Sequence, residues 1–119
     1  MAFQTEVEFS LPKGYLDGDG VLHREGVMRL ATAADEILPL KDSRVQQNPA
    51  YLTIIVLARV VTRLGALPDV NTKVIEGLFA SDLSYLQALY ESLNGEGGDE
   101  ASPALFESSS REFGVMGEA

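Results

Sequence analysis

The predicted fold depends on one stretch, NPAYLTIIVLARVVTRLG, which runs from Asn48 to Gly65. Asn48 and Pro49 are suited to begin a helix, because an Asn side chain caps free backbone N–H groups and Pro is tolerated in the first turn. The residues that follow are apolar on nearly every side, which is typical of a helix at the centre of a bundle. Gly65 is suited to end it in the left-handed conformation. The pattern predicts a buried helix over residues 49–64.

The segment before this stretch predicts a β-hairpin over residues 3–30. Apolar and polar residues alternate over residues 3–11, and this period of two indicates a strand with one buried face. Pro12 is expected to end that strand, since proline cannot donate a hydrogen bond to a sheet. A DGDG sequence predicts the turn, and the returning strand contains Gly26 as a candidate bulge. Because a lone hairpin is marginal in water, it must pack on the helices or pair with another chain.

Short capping signals predict three further helices. Thr32 followed by Asp35 approximates a capping box at the start of the first. Ser81 precedes Asp82, an acid placed where the helix dipole favours it, at the start of the last. The polar residues 40–47 are expected to be irregular. Together with the central helix, the predicted helices span residues 33–38, 49–64, 73–79 and 82–94.

Residues 1–95 are therefore predicted to form a single α+β domain, in which the hairpin packs on a bundle of three to four helices. A total length of 119 residues agrees with one domain. Residues 96–119 are predicted to form a flexible acidic tail, because the linker-like sequence GEGGDEASP starts at Gly95 and residues 96–119 contain six acidic residues against one base, Arg111.

The composition argues against several classes of function. The formal net charge is −9 and no stripe of Lys and Arg is present, which disfavours nucleic acid and anionic membranes as partners. No cysteine and one histidine disfavour disulfides, zinc sites and a Ser-His triad. The N-terminus lacks a secretory signal, and no apolar run reaches the ~20 residues of a membrane span, so a cytoplasmic protein is expected. No enzymatic activity, cofactor or metal is predicted.

Three side-chain groups have both a functional and a structural interpretation. The DGDG turn could hold calcium, but Met28 occupies the position where an EF-hand requires a bidentate Glu. His23 and the acids near it could bind a metal weakly, although such a histidine is more often an exposed strand residue. Asp35 and Glu36 do not face each other on a helix, so they are better explained as acids at a helix start than as a catalytic pair.

Two arginines of the central stretch are candidates for ion pairs. Arg59 and Arg63 are four residues apart, which places them on one face of the predicted helix. They either bind an acidic partner or pair within the chain with Asp35, Glu36 or Asp82, and internal pairing is the favoured interpretation. Paired internally, the two arginines would orient the junction between hairpin and helices.

A set of short motifs lies in order across residues 3–94: Glu8-Phe9, Leu11-Pro12, Gly14-Tyr15, His23-Arg24, Gly26-Val27, Arg29, Ala31-Thr32, Asp35-Glu36, Asn48-Pro49, Tyr51, Leu57-Ala58-Arg59, Leu64-Gly65, Leu78 and Asp82. Together they resemble the phage tail assembly protein family of contractile-tail phages and contractile injection systems, and more distantly the tail assembly chaperones. Many members of that family end in a cysteine-rich, zinc-ribbon-like segment, whereas residues 107–113 contain no cysteine. A metal-bound tail of that kind is not expected here.

The resemblance implies a small, non-enzymatic helper in the assembly of the tail. The expected role is a chaperone that binds the tape-measure, tube or baseplate proteins, and the alternative is a baseplate or tube-cap subunit retained in the particle. The sequence leaves open whether the protein forms a homo-oligomer. The hairpin is the expected binding element, so deleting residues 1–28 is expected to remove partner binding and leave the helices folded. The candidate partner-binding side chains are Phe3, Val7, Phe9, Tyr15, Arg29, Arg59 and Arg63, with Phe106 and Phe113 in the tail.

Overall fold

The computed structural model describes residues 5–95 and confirms the α+β class. The strands are β1 (Glu6–Leu16), β2 (Leu22–Arg29) and β3 (Val61–Leu64), and they form one antiparallel sheet in the order β1-β2-β3. The helices are α1 (Ala33–Ile37), a 3-10 helix (Leu38–Lys41), α2 (Ser43–Gln47), α3 (Tyr51–Val60), α4 (Thr72–Glu76) and α5 (Ala80–Gly95). The four predicted helices are present, and α2 is an additional one in the segment expected to be irregular.

The central stretch corrects the predicted helix over residues 49–64. Helix α3 ends at Val60, and the next four residues form β3, which pairs with β2. Val61 and Leu64 are buried by this strand. A helical continuation would have left the second edge of β2 without hydrogen-bond partners, and β-branched residues at this point favour the extended conformation. Gly65 therefore follows a strand, with φ +57°, and does not cap a helix.

Strand β1 continues through Pro12, contrary to the expectation that this proline ends it. Ser10 pairs with Glu25 and Tyr15 pairs with His23, so four residues of β1 oppose a single residue of β2. We call these four residues, Leu11–Gly14, the bulge. The proline is tolerated because a bulge leaves the ladder interrupted at the point where its missing N–H would otherwise have been needed.

The sheet and the helices share one hydrophobic core. Phe9, Leu11 and Met28 from the first two strands are buried together with residues of α3, α4 and α5. Deleting residues 1–28 would remove these three side chains from that core. The expectation that the helices stay folded without the hairpin is therefore not supported, because the remaining apolar surface would be exposed to water.

Candidate functional site

The carboxylate of Asp35 is buried at the junction of sheet and helices, where several groups of the described chain donate hydrogen bonds to it. Arg29 donates to it twice, at 2.8 and 3.0 Å, and Arg59 donates through Nε at 2.9 Å. The backbone N–H of Thr32 donates at 2.7 Å and completes the predicted capping box. Hydrogen bonding to Arg29 outweighs the effect of burial, and with Thr32 and Arg59 it holds the pKa of Asp35 well below its usual value.

This network shows which of the two predicted arginines, Arg59 or Arg63, forms an ion pair within the chain. Arg59 pairs within the chain, as favoured, and orients the junction between β2 and α1. Arg63 does not join it, because it lies in β3 opposite Val27 and its side chain is exposed. The expectation that both arginines share one helical face is wrong, since α3 ends between them.

A second carboxylate, Asp82 of α5, is fully buried beneath the bulge. It accepts the backbone N–H of Lys13 at 2.9 Å and that of Gly14 at 2.8 Å. On the other strand, Arg24 donates to the first two carbonyl oxygens of the bulge, at 3.0 and 3.3 Å. The backbone groups released by the interrupted ladder are thus satisfied by side chains from two different elements, which makes the bulge a fixed part of the fold.

The hairpin turn is organised by Asp17 and by a buried histidine. One oxygen of Asp17 accepts the N–H groups of Asp19 and Val21, and the other accepts a hydrogen bond from Nε2 of His23 at 2.8 Å. The N–H of Ala66 donates to Nδ1 of the same imidazole at 3.2 Å. Hydrogen bonding to His23 is the main cause that lowers the pKa of Asp17. His23 is therefore a core residue, not an exposed strand residue. The carboxylate of Asp17 holds the turn in place.

The described residues show no arrangement for a metal. Within residues 5–95 no three His, Asp or Glu side chains are grouped closely enough to hold an ion. Every buried side-chain nitrogen or oxygen in that part of the chain has a hydrogen-bond partner. These polar networks hold the fold together, so a site for a partner is expected on the surface of the described residues.

The structure separates the candidate partner-binding residues into four groups. Phe9 is only 4% exposed, which argues against a contact role because its ring packs in the core. Val7 and Tyr15 are half-buried against that core. Arg29 and Arg59 are engaged by Asp35, whereas the side chain of Arg63 is exposed. Phe3, Phe106 and Phe113 lie outside the described residues.

Two surface clusters of large apolar side chains were not identified from the sequence. The tip cluster consists of Leu16, Val21 and Leu22, which flank the hairpin turn and are 53%, 51% and 51% exposed. The turn cluster follows α1 and consists of Ile37, Leu38 and Leu40, which are 59%, 45% and 46% exposed. The sequence does contain a signal for these exposed clusters. Apolar residues are adjacent on both sides of the DGDG turn and within ILPL at 37–40, and adjacent apolar residues cannot all lie on one buried face.

Comparison with known proteins leaves the resemblance as a hypothesis. No protein-family model, curated protein or solved structure matches this chain. Among the helices within residues 5–95, none has both the length and the apolar character required to cross a bilayer.

Proposed function

We propose that this protein is a non-enzymatic assembly chaperone of a contractile tail or injection system, and that it binds the tape-measure, tube or baseplate proteins before they enter the particle. The observation that carries the proposal is the tip cluster, in which three large apolar side chains are each about half exposed on a chain of net charge −9. Exposed apolar surface on a small acidic domain fits a protein that covers the apolar surface of a partner and keeps it soluble.

The tape-measure protein is the most suitable partner by its chemistry. A tape measure is a long helical protein, and its apolar seams are exposed until the tube encloses it. Such seams match an apolar hairpin tip, while the net charge of −9 on the chain favours a complex that stays in solution. Asp17 and His23 hold the tip in a fixed shape, so the entropic cost of binding is reduced.

The alternative is a baseplate or tube-cap subunit that remains in the particle. Among the described strands, β1 pairs only with β2 and therefore lies at an edge of the sheet. An edge strand can add to the sheet of a neighbouring protein. The acidic side chains of Glu6 and Glu8 along this edge strand disfavour such pairing, because charges are a common protection of sheet edges.

A pull-down of the tagged protein from cells producing particles tests the proposal, with mass spectrometry of purified particles in parallel. We expect tape-measure, tube or baseplate protein in the pull-down and none of this chain in the particles. Leu16→Ser combined with Leu22→Ser is expected to reduce capture at least tenfold. Leu38→Ser is the matched control and should leave capture unchanged.

Two results would contradict this proposal. Stoichiometric recovery of the protein from purified particles would establish the structural alternative. Capture that is equally strong with the two tip substitutions would show that the tip cluster is not the binding surface. Because both leucines are half exposed, circular dichroism should show that these variants fold normally.

A further inference from the structure

The described chain ends beside the start of α1, the helix that leads into the turn cluster. The side-chain oxygen of Asn94 accepts the N–H of Ala31 at 2.8 Å, and the side-chain nitrogen donates to the carbonyl of Tyr90 at 2.9 Å. One turn earlier, the Tyr90 hydroxyl donates to the carboxylate of Glu36 in α1. These contacts fix the last turn of α5 against α1, so the chain that continues beyond Gly95 starts next to this helix.

The residues beyond Gly95 can reach the turn cluster easily. Ile37 directly follows Glu36, and a helix of the length of α1 is only about 8 Å long. Phe106 is eleven residues beyond Gly95 (106 minus 95), and Gly-rich linkers of that length have a typical end-to-end distance of about 18 Å. At this span the local concentration of the attached segment is on the order of millimolar, so a weak contact suffices for occupancy.

The chemistry of the two regions is complementary. Beyond Gly95 the sequence carries six acidic residues and one basic residue, and it contains the adjacent large apolar residues Leu105 and Phe106. Lys41 directly follows the turn cluster and its side chain is exposed, whereas Arg29 and Arg59 are engaged by Asp35 and Arg44 by Asp42. An acidic segment with two adjacent apolar side chains therefore matches this surface in both polarity and charge.

We propose that Leu105 and Phe106 bind the turn cluster of the same chain. The apolar side chains cover Ile37, Leu38 and Leu40, and the acids around them face Lys41. This interaction is independent of the proposed assembly function, because it involves a different surface from the tip cluster. It assigns the turn cluster an occupant and leaves the tip cluster available for partners.

Paramagnetic relaxation enhancement in the full-length protein tests the proposal. The chain has no cysteine, so Ser108→Cys creates a unique site for a nitroxide spin label two residues from Phe106. We expect the amide signals of Ile37, Leu38, Leu40 and Lys41 to lose most of their intensity, while those of residues 18–22 at the hairpin tip keep theirs. Phe106→Ser in the labelled protein should restore the lost signals, and so should Leu38→Ser.

Leu22→Ser is the matched control, because it removes an apolar side chain of similar exposure from the other cluster and should leave the signal loss at residues 37–41 unchanged. The proposal would be overturned by uniform or absent broadening, or by broadening that persists with Phe106→Ser. A mixture of two samples tests whether a second copy is the occupant. One sample carries the spin label without nitrogen-15, and the other carries nitrogen-15 without the spin label, so any broadening reports contact between molecules. Broadening in that mixture as strong as within one chain would show binding between molecules and refute binding within the chain.

Discussion

Replacing Asp82 by alanine tests the most specific long-range contact of the fold. The carboxylate is fully buried and accepts the N–H groups of Lys13 and Gly14, which are 69 and 68 residues away in sequence. Asp82→Ala leaves both donors of the bulge without a partner in a place that water reaches poorly. The sequence alone would assign this acid only a favourable interaction with the dipole of α5.

The two explanations predict different losses of unfolding free energy. A hydrogen bond to a charged acceptor contributes about 1.5–3 kcal/mol, so losing two gives about 3 kcal/mol even at the lower limit. The helix dipole alone is worth roughly 0.3–1 kcal/mol at most exposed sites. For a domain of this size, a loss of about 3 kcal/mol corresponds to a decrease in Tm of roughly 12–24 °C.

Urea unfolding followed by circular dichroism measures the difference. Asp82→Asn is expected to lose about 2 kcal/mol, because the amide keeps one acceptor oxygen and turns an N–H₂ donor toward the second backbone donor. Asp69→Ala is the control, since its side chain is exposed and makes only a long 3.4 Å contact with Asn71, and it should change stability by no more than ~0.5 kcal/mol. A loss below 1 kcal/mol for Asp82→Ala would refute the reasoning.

Three further predictions concern the junction and the sheet. Asp35→Asn should lower the free energy of unfolding by about 3 kcal/mol at pH 7 and flatten its dependence on pH. Folding lowers the pKa of this carboxyl, so the stability that it gives is present above pH ~4–5 and is lost as pH falls. If urea titrations of the variant showed the same loss of stability at acidic pH as the parent protein, this reasoning would be contradicted. Gly65→Ala should lower Tm strongly, since φ is +57° and a Cβ would meet the buried imidazole at 2.2 Å, while Gly18→Ala, with open space around it, should have little effect in the same thermal scans. Arg59→Gln should cost about 1 kcal/mol and Arg63→Gln none in urea titrations, and equal effects would show that the two arginines do share a role.

The local elements could be predicted where neighbouring residues carry the signal. The capping box of Thr32 and Asp35 is present because all its partners lie within four residues. The DGDG turn closes the hairpin through the side chain of Asp17 in the same way. Internal pairing of Arg59 was also predictable in kind, since an acid at a nearby helix start is a natural partner for an arginine on the central helix.

The surface clusters were harder to predict, because exposure depends on which elements cover a segment. ILPL at residues 37–40 is as apolar as a core sequence, yet only Pro39 among these four residues is buried. His23 shows the reverse case. Its polarity suggested an exposed residue, but Asp17 and Ala66 satisfy both ring nitrogens, and this allows the imidazole to be buried.

By itself the sequence determined the α+β class, the hairpin with its turn, the presence of the four main helices and the acidic character of the chain, because these depend on local propensity, periodicity and charge. Only the tertiary structure decided that Val61–Leu64 is a strand, that Pro12 lies inside β1 and that Asp82 supports the bulge. Val61 and Leu64 can be buried by a helix or by a strand, and the strand forms because it supplies hydrogen-bond partners to the second edge of β2. The physical reason is that backbone hydrogen bonds must be satisfied across the whole fold, and their partners lie tens of residues apart.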